Sequence, residues 1–184
     1  SMPDSAFEEL YLIANKGKFS EYDFLLADSD FENLYSDVRW NEIKETVKMN
    51  KEKAEANYDM KLKAELETIY FNDQKYRDQI TDTAERYGWV TGEVDSIEKE
   101  LKPMIRYTDS INQVKVTGIL ETYGWLGPDV VGELGNSAFF AVIQHSELEY
   151  QEKYLPMMRE AVKNGKARAD HLALVEDRVA LRQG

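Results

Sequence analysis

The sequence predicts an all-α protein, and three observations support this fold class. Apolar residues recur at helical spacings of three, four and seven, as at Leu62, Leu66, Ile69 and Tyr76. Glycine and proline interrupt these stretches at points where helices would end or begin. The strict alternation of apolar and polar residues that marks a half-buried strand extends over no more than a few residues. A multi-helix bundle or array is therefore predicted.

The N-terminal third contains helices that are separated by short polar turns. The stretch FEELYLIANKGKF predicts a helix that ends with Gly17 in the left-handed conformation. Ser20 is the predicted N-cap of the next helix, and Ser36 or Asp37 caps the one after it. We interpret residues 3–50 as one helical unit.

The middle of the chain, from Trp40 to Ile80, lacks glycine and proline. This pattern predicts either one long helix or two helices that meet near the sequence NYDM. The stretch VKMNKEKAEAN, residues 47–57, is polar on almost every side, which favours an exposed connector. The second unit, a compact helical domain, is predicted to cover residues 58–184.

The second half contains four predicted helical stretches. Pro103 is placed at the start of the first stretch, and Pro156 is expected to kink the third or to start a new segment there. The stretch NSAFFAVIQH is almost entirely apolar up to its last two residues and predicts a short buried helix. The stripe predicted for the first helix consists of Met104, Thr108, Ile111, Lys115, Ile119 and Tyr123.

The pentapeptides ERYGW and ETYGW are nearly identical, and each lies where a helix should end. Gly88 and Gly124 are predicted at the left-handed position that closes a helix. Trp89 and Trp125 would then fold back on the final turn as aromatic plugs. The flanking sequences differ, so an internal repeat is not indicated. A ligand-stacking role for the aromatic residues is the alternative.

The composition excludes several classes of protein. Hydrophobic residues make up 42% of the 184 residues, enough for a real core, so general disorder is not expected. The net charge of −12 makes nucleic-acid binding improbable and disfavours an anionic membrane surface. The absence of cysteine excludes disulfides and thiolate metal sites. The longest apolar run, AFFAVI, is too short to span a membrane.

The chain starts with Ser-Met, which is typical of the remnant of a cleaved expression tag, so the native N-terminus is expected to have been removed. Localisation in the cytoplasm or the cell envelope therefore stays open, as does the oligomeric state.

An aspartate-rich pattern occupies residues 17–47, and its members are Asp28, Asp30, Phe31, Leu34, Asp37, Arg39 and Trp40. In this pattern the chain resembles the unit that closes arrays of tetratricopeptide-like helix pairs in Bacteroidetes proteins. The resemblance implies a cap or spacer with helical repeats upstream, and it does not imply an enzyme. A calcium-binding EF-hand does not fit the same aspartates, because Asn33 occupies the required glycine position and Arg39 that of the last ligand.

Four segments between about residue 66 and residue 184 form a recognisable set, namely NDQKYRDQ, TDSINQVKVTGILETYGW, VVGELGNSAFFAVIQHSELEYQEKYLPMM and LVEDRVALRQG. In these segments the chain resembles a bacterial family known only as domain of unknown function 6624. Family members commonly continue past the last glycine into a Q-x-Y-G-S/T-Q segment, so a C-terminal segment is expected to be missing here. The resemblance implies no activity.

The matching segments contain the candidate site residues. His145 is the leading candidate for acid–base chemistry because the intrinsic pKa of imidazole lies near neutrality, and Asp177 and Asp109 are its candidate catalytic companions. The alternative is a core histidine that is hydrogen-bonded to Asp109 or Asp177 for stability. The candidate ligand-binding residues are Arg178, Gln144, Asn112, Gln151, Asp73 and Arg77.

Three further interpretations concern charged and titratable residues. Arg178 could bind a carboxylate or phosphate of a substrate, although an ion pair within the protein is the alternative. A metal site on His145 and Glu149 would rest on two ligands only, so no metal and no cofactor is predicted. His171 lies near a helix start and is predicted to be solvated.

No phosphate loop, nucleophile elbow or zinc-protease signature occurs in the sequence. The leading hypothesis is therefore a protein-interaction or binding module with a protein or small-molecule partner. The alternative is an enzyme or small-ligand receptor, hydrolytic or acid–base, with a polar pocket around His145. An open cleft that contains His145, Asp109 and Asp177 would favour the enzyme, whereas a sealed polar cluster and an apolar groove elsewhere would favour the interaction module.

Overall fold

The computed structural model describes residues 2–184, with side chains from Asp4 onward, and it confirms the all-α fold class. Throughout this described range the regular elements are helices, with no strand. They are α1 (Met2–Asn15), α2 (Tyr22–Ala27), a 3₁₀-helix (Ser29–Leu34), α3 (Val38–Glu55), α4 (Met60–Tyr87), α5 (Gly92–Tyr123), α6 (Pro128–His145), α7 (Leu148–Lys163) and α8 (Ala169–Gln183).

The chain forms two compact units, which divide after residue 57 and which we call the N-terminal and C-terminal units. The core of the N-terminal unit is built around Phe7, Leu25, Trp40 and Ile43 from α1, α2 and α3. The core of the C-terminal unit comes from α4 to α8 and is considerably larger. Each unit thus buries its own apolar side chains.

Side-chain caps begin some of the helices, and the sequence predicts one of two caps in the N-terminal unit correctly. The carboxylate of Asp37 accepts the backbone N–H of Arg39 at 2.9 Å, which confirms Asp37 as the N-cap of α3. Ser20 is wrong as a cap, because α2 begins at Tyr22 after Glu21 and has no side-chain cap. At the end of α1 the positive φ of 54° belongs to Lys18 rather than to Gly17.

The middle of the chain contains two helices that meet at NYDM, not one long helix. This confirms the second of the two predictions made for this stretch. Asp59 caps α4 by accepting the N–H groups of Lys61 and Leu62 at 3.1 and 3.0 Å. The connector predicted over 47–57 is wrong for its first nine residues, which belong to α3. This half of α3 is held because Val47 is buried and the Asn50 amide donates to two backbone carbonyls of the same unit.

Helix α5 is longer than predicted, because it begins at Gly92 after the N-cap Thr91. Pro103 therefore lies inside the helix, not at its start, and Pro156 likewise lies within α7 without a new segment. The buried face of α5 also differs from the predicted stripe. It consists of Val94, Leu101, Asn112, Val116, Ile119 and Leu120.

The two similar pentapeptides end α4 and α5, as predicted. Gly88 and Gly124 have φ values of 92° and 68°, a region that side chains with a Cβ rarely adopt. Trp125 is buried, at 6% exposed, but its ring packs against α6, 5.2 Å from the ring of Phe139. The predicted aromatic plug is wrong for Trp89, which is 65% exposed. The two glycines share a function, and the two tryptophans do not.

Helix α6 is the centre of the C-terminal unit, since α4, α5, α7 and α8 all pack against it. It contains a kink at Gly132, which has φ 70° and ψ 166°. Beyond the kink, a Cβ on Gly135 would lie 3.5 Å from the Cβ of Leu66, an ordinary van der Waals distance, so α4 lies against α6 at this point. The packing of α4 against α6 sets which side chains of α4 meet the end of α6.

None of the helices in the described part of the chain combines the length and the apolar character that crossing a membrane requires.

We predict opposite effects on stability for two glycine-to-alanine substitutions in or next to α5. Gly124→Ala should lower the free energy of unfolding by about 1–3 kcal/mol, because alanine is strained at this positive φ. Gly118→Ala, the control, should raise it by up to about 1 kcal/mol, because Gly118 is helical and has no atom within 4 Å of a new Cβ. Urea unfolding followed by circular dichroism measures both, and equal effects would contradict the prediction.

Candidate functional site

The central contact of the site joins His145, the last residue of α6, to Asp73 in the middle of α4. The Nδ1 atom of His145 lies 2.8 Å from Oδ2 and 3.1 Å from Oδ1 of Asp73. Asp73 is 1% exposed, whereas the His145 side chain is 20% exposed. A buried carboxylate thus holds one edge of an imidazole that reaches the surface.

Asp73 has further partners on its own helix. The Gln74 amide donates to its Oδ2 at 2.6 Å, and Arg77 Nη1 lies 3.4 Å from its Oδ1. Arg77 also donates twice to Asp109 of α5, at 2.9 and 3.0 Å. Both of these bonds come from Nη2, while Nη1 donates to the backbone oxygen of Asp73 at 2.6 Å, so the guanidinium group is held by two residues. The chain of contacts Asp109–Arg77–Asp73–His145 therefore links α5, α4 and α6.

The expected partners of His145 were wrong. Its carboxylate is Asp73, not Asp109 or Asp177, because α4 packs directly against α6 and carries Asp73 to its end. Asp109 takes part only through Arg77. Asp177 is exposed and lines a surface depression with Ala180, Leu181 and Gly184, away from the imidazole. The three candidate catalytic residues are not brought into one cleft.

A pocket of about 270 Å³ lies over α6 and contains His145 in its wall. Its other lining residues come from α4, from α6, and from the start of α8 with the residue before it. Those residues are Tyr70, Gln74, Ser137, Phe140, Ala141, Gln144, Arg168 and His171. The pocket therefore combines aromatic rings with amide and imidazole groups.

The hydrogen bond to Asp73 decides which nitrogen of His145 can react. An ionised carboxylate only accepts, so the bond requires a proton on Nδ1, and the neutral ring then has its lone pair on Nε2. No hydrogen-bond partner of Nε2 occurs among the described residues. His145 thus has one nitrogen oriented by the protein and one that is free to exchange a proton.

The side chain and the backbone of Gln144 differ in their hydrogen bonding. Its Oε1 atom is buried and has no hydrogen-bond partner among the described residues. Its backbone oxygen accepts from Gln151 at 2.8 Å and from Arg178 at 3.0 Å. An unpaired buried carbonyl costs about 1–3 kcal/mol, so the side chain of Gln144 lowers the stability of this end of α6.

Two of the candidate ligand-binding residues serve the packing of helices. Asn112 is 1% exposed and donates to the backbone oxygen of Ile69 at 3.2 Å, which joins α5 to α4. Gln151 is fully buried and uses its amide nitrogen on Gln144 and its oxygen on Arg182. Neither residue lines the pocket.

His171 was expected to be solvated, and this expectation was wrong. Its ring stacks on that of Phe140, with centroids 3.9 Å apart and an interplanar angle of 12°. Burial, followed by the positive charge of Arg168, lowers the pKa of His171 below its ordinary value of 6.5. The neutral ring is therefore the form that the fold favours.

Sequence reasoning missed the aromatic wall of the pocket, formed by Tyr70, Phe140 and His171. A signal was present, because Tyr70, Asp73 and Arg77 lie on one face of α4 at spacings of three and four. Ser137, Ala141 and His145 likewise share one face of α6, at two successive spacings of four. Which two faces meet could not be read from either helix alone.

The described residues contain no group of three or more His, Cys, Asp or Glu side chains placed to hold a metal ion.

One comparison with known proteins gives a match. The model of a family described as a family of unknown function, DUF6624, matches residues 60–184. This confirms the resemblance recognised in the sequence segments. No curated protein and no solved structure matches the chain. The tetratricopeptide-like interpretation of the N-terminal unit stays a prediction.

We predict that His171 makes stability depend on pH. The pKa of His171 is lower in the folded protein than the ordinary value of 6.5 that the unfolded chain keeps. At a pH between the two pKa values, the unfolded chain therefore binds more protons than the folded protein. The stabilisation is present above pH 6.5 and is lost as the pH falls below it. His171→Phe keeps an aromatic ring on Phe140 and removes the titration.

Urea unfolding of both proteins at about pH 7.5 and about pH 5 measures this effect. The loss of stability on acidification should be smaller for His171→Phe than for the unmodified protein. An equal loss in the two proteins would contradict the lowered pKa.

Proposed function

The chain belongs to the family of unknown function DUF6624, whose matched region contains every residue of the His145 pocket. We propose that this region binds a small polar molecule and that His145 exchanges a proton with it or with a water molecule beside it. The proposal gives His145 the role of general base, and of general acid in the reverse step. Asp73 is a positioning residue that acts through His145.

One observation carries the proposal, namely that the two nitrogens of His145 differ. Nδ1 is bound to a carboxylate that is 1% exposed, while Nε2 is without a partner among the described residues. A buried carboxylate selects the tautomer, orients the ring and stabilises the imidazolium that forms when Nε2 takes a proton. A histidine that served packing alone would not need a free nitrogen beside an open pocket.

A serine nucleophile is not part of the proposal. Ser137 is the serine of the pocket wall, and it precedes His145 by eight residues on α6, which places the two about 12 Å apart along the helix axis. A hydrogen bond between nucleophile and base requires about 2.6–3.2 Å. Proton transfer to or from the ligand, or activation of water, is the chemistry that this distance allows.

The pocket limits the size and shape of the ligand. A volume of about 270 Å³ lies below the range of about 300–1,000 Å³ that is typical of drug-sized sites. The rings of Phe140 and His171 are stacked, and both line the pocket. A small planar molecule fits these features.

We predict that the protein accelerates the hydrolysis of 4-nitrophenyl acetate, a small planar ester, through His145. His145→Gln should lower the rate about tenfold or more, because general bases contribute about 100- to 10,000-fold with matched substrates. Asp73→Asn should lower the rate and change its dependence on pH, since the tautomer is no longer fixed. Asp78→Asn is the matched control, an exposed carboxylate on the same helix.

Release of 4-nitrophenol measures the rate, and circular dichroism checks that each variant is folded. A folded His145→Gln protein as fast as the unmodified protein would overturn the proposal.

A second candidate function, protein interaction, is favoured by a groove in the N-terminal unit. A groove of about 530 Å³ is lined by the apolar side chains of Ala6, Leu10, Ile13, Phe31 and Leu34. Glu9 and Asp30 contribute carboxylates to the same groove. We propose that it binds an amphipathic helix with basic flanking residues, because such a segment matches both the apolar floor and the acidic edge.

A designed leucine–lysine helical peptide, labelled with fluorescein, tests the groove by fluorescence anisotropy. We expect Ile13→Asp to weaken binding about tenfold, because a buried unpaired carboxylate costs about 1–3 kcal/mol or more. Leu12→Asp is the control, since Leu12 is equally exposed, at 47% against 46% for Ile13, and does not line the groove. Equal affinities of the two variants would contradict this function.

A further inference from the structure

Arg178 and Arg182 of α8 converge on the C-terminal end of α6, next to His145. Nη1 of Arg178 donates to the backbone oxygen of Gln144 at 3.0 Å. Nη1 of Arg182 donates to the backbone oxygen of Ser146 at 2.8 Å and to Oε1 of Gln151 at 3.2 Å. The last carbonyls of a helix lack partners within the helix, so they accept these bonds readily. Both guanidinium groups are thereby fixed in place.

Neither arginine has a carboxylate partner in the described part of the chain. Arg77, in contrast, is bound to Asp109 and lies near Asp73. A shortage of acidic residues is not the reason, because the chain has 35 Asp and Glu against 23 Lys and Arg. The C-terminal end of α6 therefore carries two guanidinium groups that are held in position and have no carboxylate partner among the described residues.

The two charges lie close enough to repel each other. Burial lowers the pKa of Arg178, and the positive charges of Arg182 and Arg77 lower it further. Only Arg77 of the three is compensated by carboxylates. An anion placed between Arg178 and Arg182 would remove this repulsion. Arg178 is half-buried and Arg182 is exposed, so both can be reached from solvent.

Each guanidinium group also has donors to spare. Arginine has five N–H groups arranged in a planar fork, and the contacts above use one nitrogen of each side chain. Capping the end of α6 would explain those contacts, but an amide side chain could provide them without charge. The remaining N–H groups match the geometry of carboxylate and phosphate oxygens.

We propose that Arg178 and Arg182 form an oxyanion site that binds a carboxylate or phosphate group of the small molecule held in the His145 pocket. The inference rests on the proposed function for the identity of the ligand, whose chemical class it narrows to small anions. Gln144 connects the two parts, because its side chain lines the pocket and its backbone oxygen accepts from Arg178. The oxyanion site itself does not require any catalysis by His145.

Binding of inorganic phosphate and of acetate, each measured by isothermal titration calorimetry at constant ionic strength, tests the proposal. The unmodified protein should bind at least one of the two anions, and the stronger one identifies the group that the site prefers. Arg182→Gln and Arg178→Gln should each weaken that binding about tenfold, because charge-assisted hydrogen bonds are lost. Glutamine keeps an N–H donor for the helix end, which separates the anion site from the capping role.

Arg106→Gln is the matched control. Arg106 is exposed on α5, and its substitution removes the same charge from the same unit. The anion titrations do not depend on hydrolysis, which the His145→Gln variant tests separately, so loss of ester hydrolysis and loss of anion binding are separate outcomes. Equal anion affinity in the Arg178, Arg182 and Arg106 variants would mean an adventitious ion only and would overturn the proposal. The absence of binding of both anions would overturn it as well.

Discussion

The C-terminal unit depends on the burial of one carboxylate, that of Asp73. A charge that is 1% exposed in a helical core needs partners of opposite charge or hydrogen-bond donors, and Asp73 has His145, Gln74 and Arg77 around it. The orientation of the imidazole and the position of Arg77 between Asp73 and Asp109 both meet this requirement. Removal of the carboxylate would take one hydrogen-bond or ion-pair partner from each of His145, Gln74 and Arg77.

The end of α6 is the second organising feature, because polar groups from three other helices meet there. Gln151 of α7 and Arg178 of α8 bind the same carbonyl, that of Gln144, while Asp73 of α4 binds the next side chain. Helix ends have unpaired carbonyls, so they attract donors that a helix interior would not accept. Helix-capping contacts and the pocket-lining imidazole are therefore found within two residues of each other, and a fixed end of α6 supports an oriented His145.

The two units offer different surfaces for recognition. The C-terminal unit has a small polar pocket with aromatic walls and an imidazole. The N-terminal unit has a larger groove that is mostly apolar, with carboxylates among its lining residues. A small metabolite is recognised by a few directed hydrogen bonds, whereas a helix is recognised by an apolar strip. The binding and interaction hypotheses thus apply to separate parts of the chain.

The sequence by itself determined the helices, because periodicity, caps and glycine conformations act over a few residues. The fold class, a cap at Ser36 or Asp37, and the helix ends at Gly88 and Gly124 could be predicted in this way. The tertiary structure decided the partners. Asp73 precedes His145 by 72 residues, and the two meet because α4 packs against α6. Which carboxylate reaches an imidazole depends on how two helix surfaces fit together, and no local pattern in either helix contains that information.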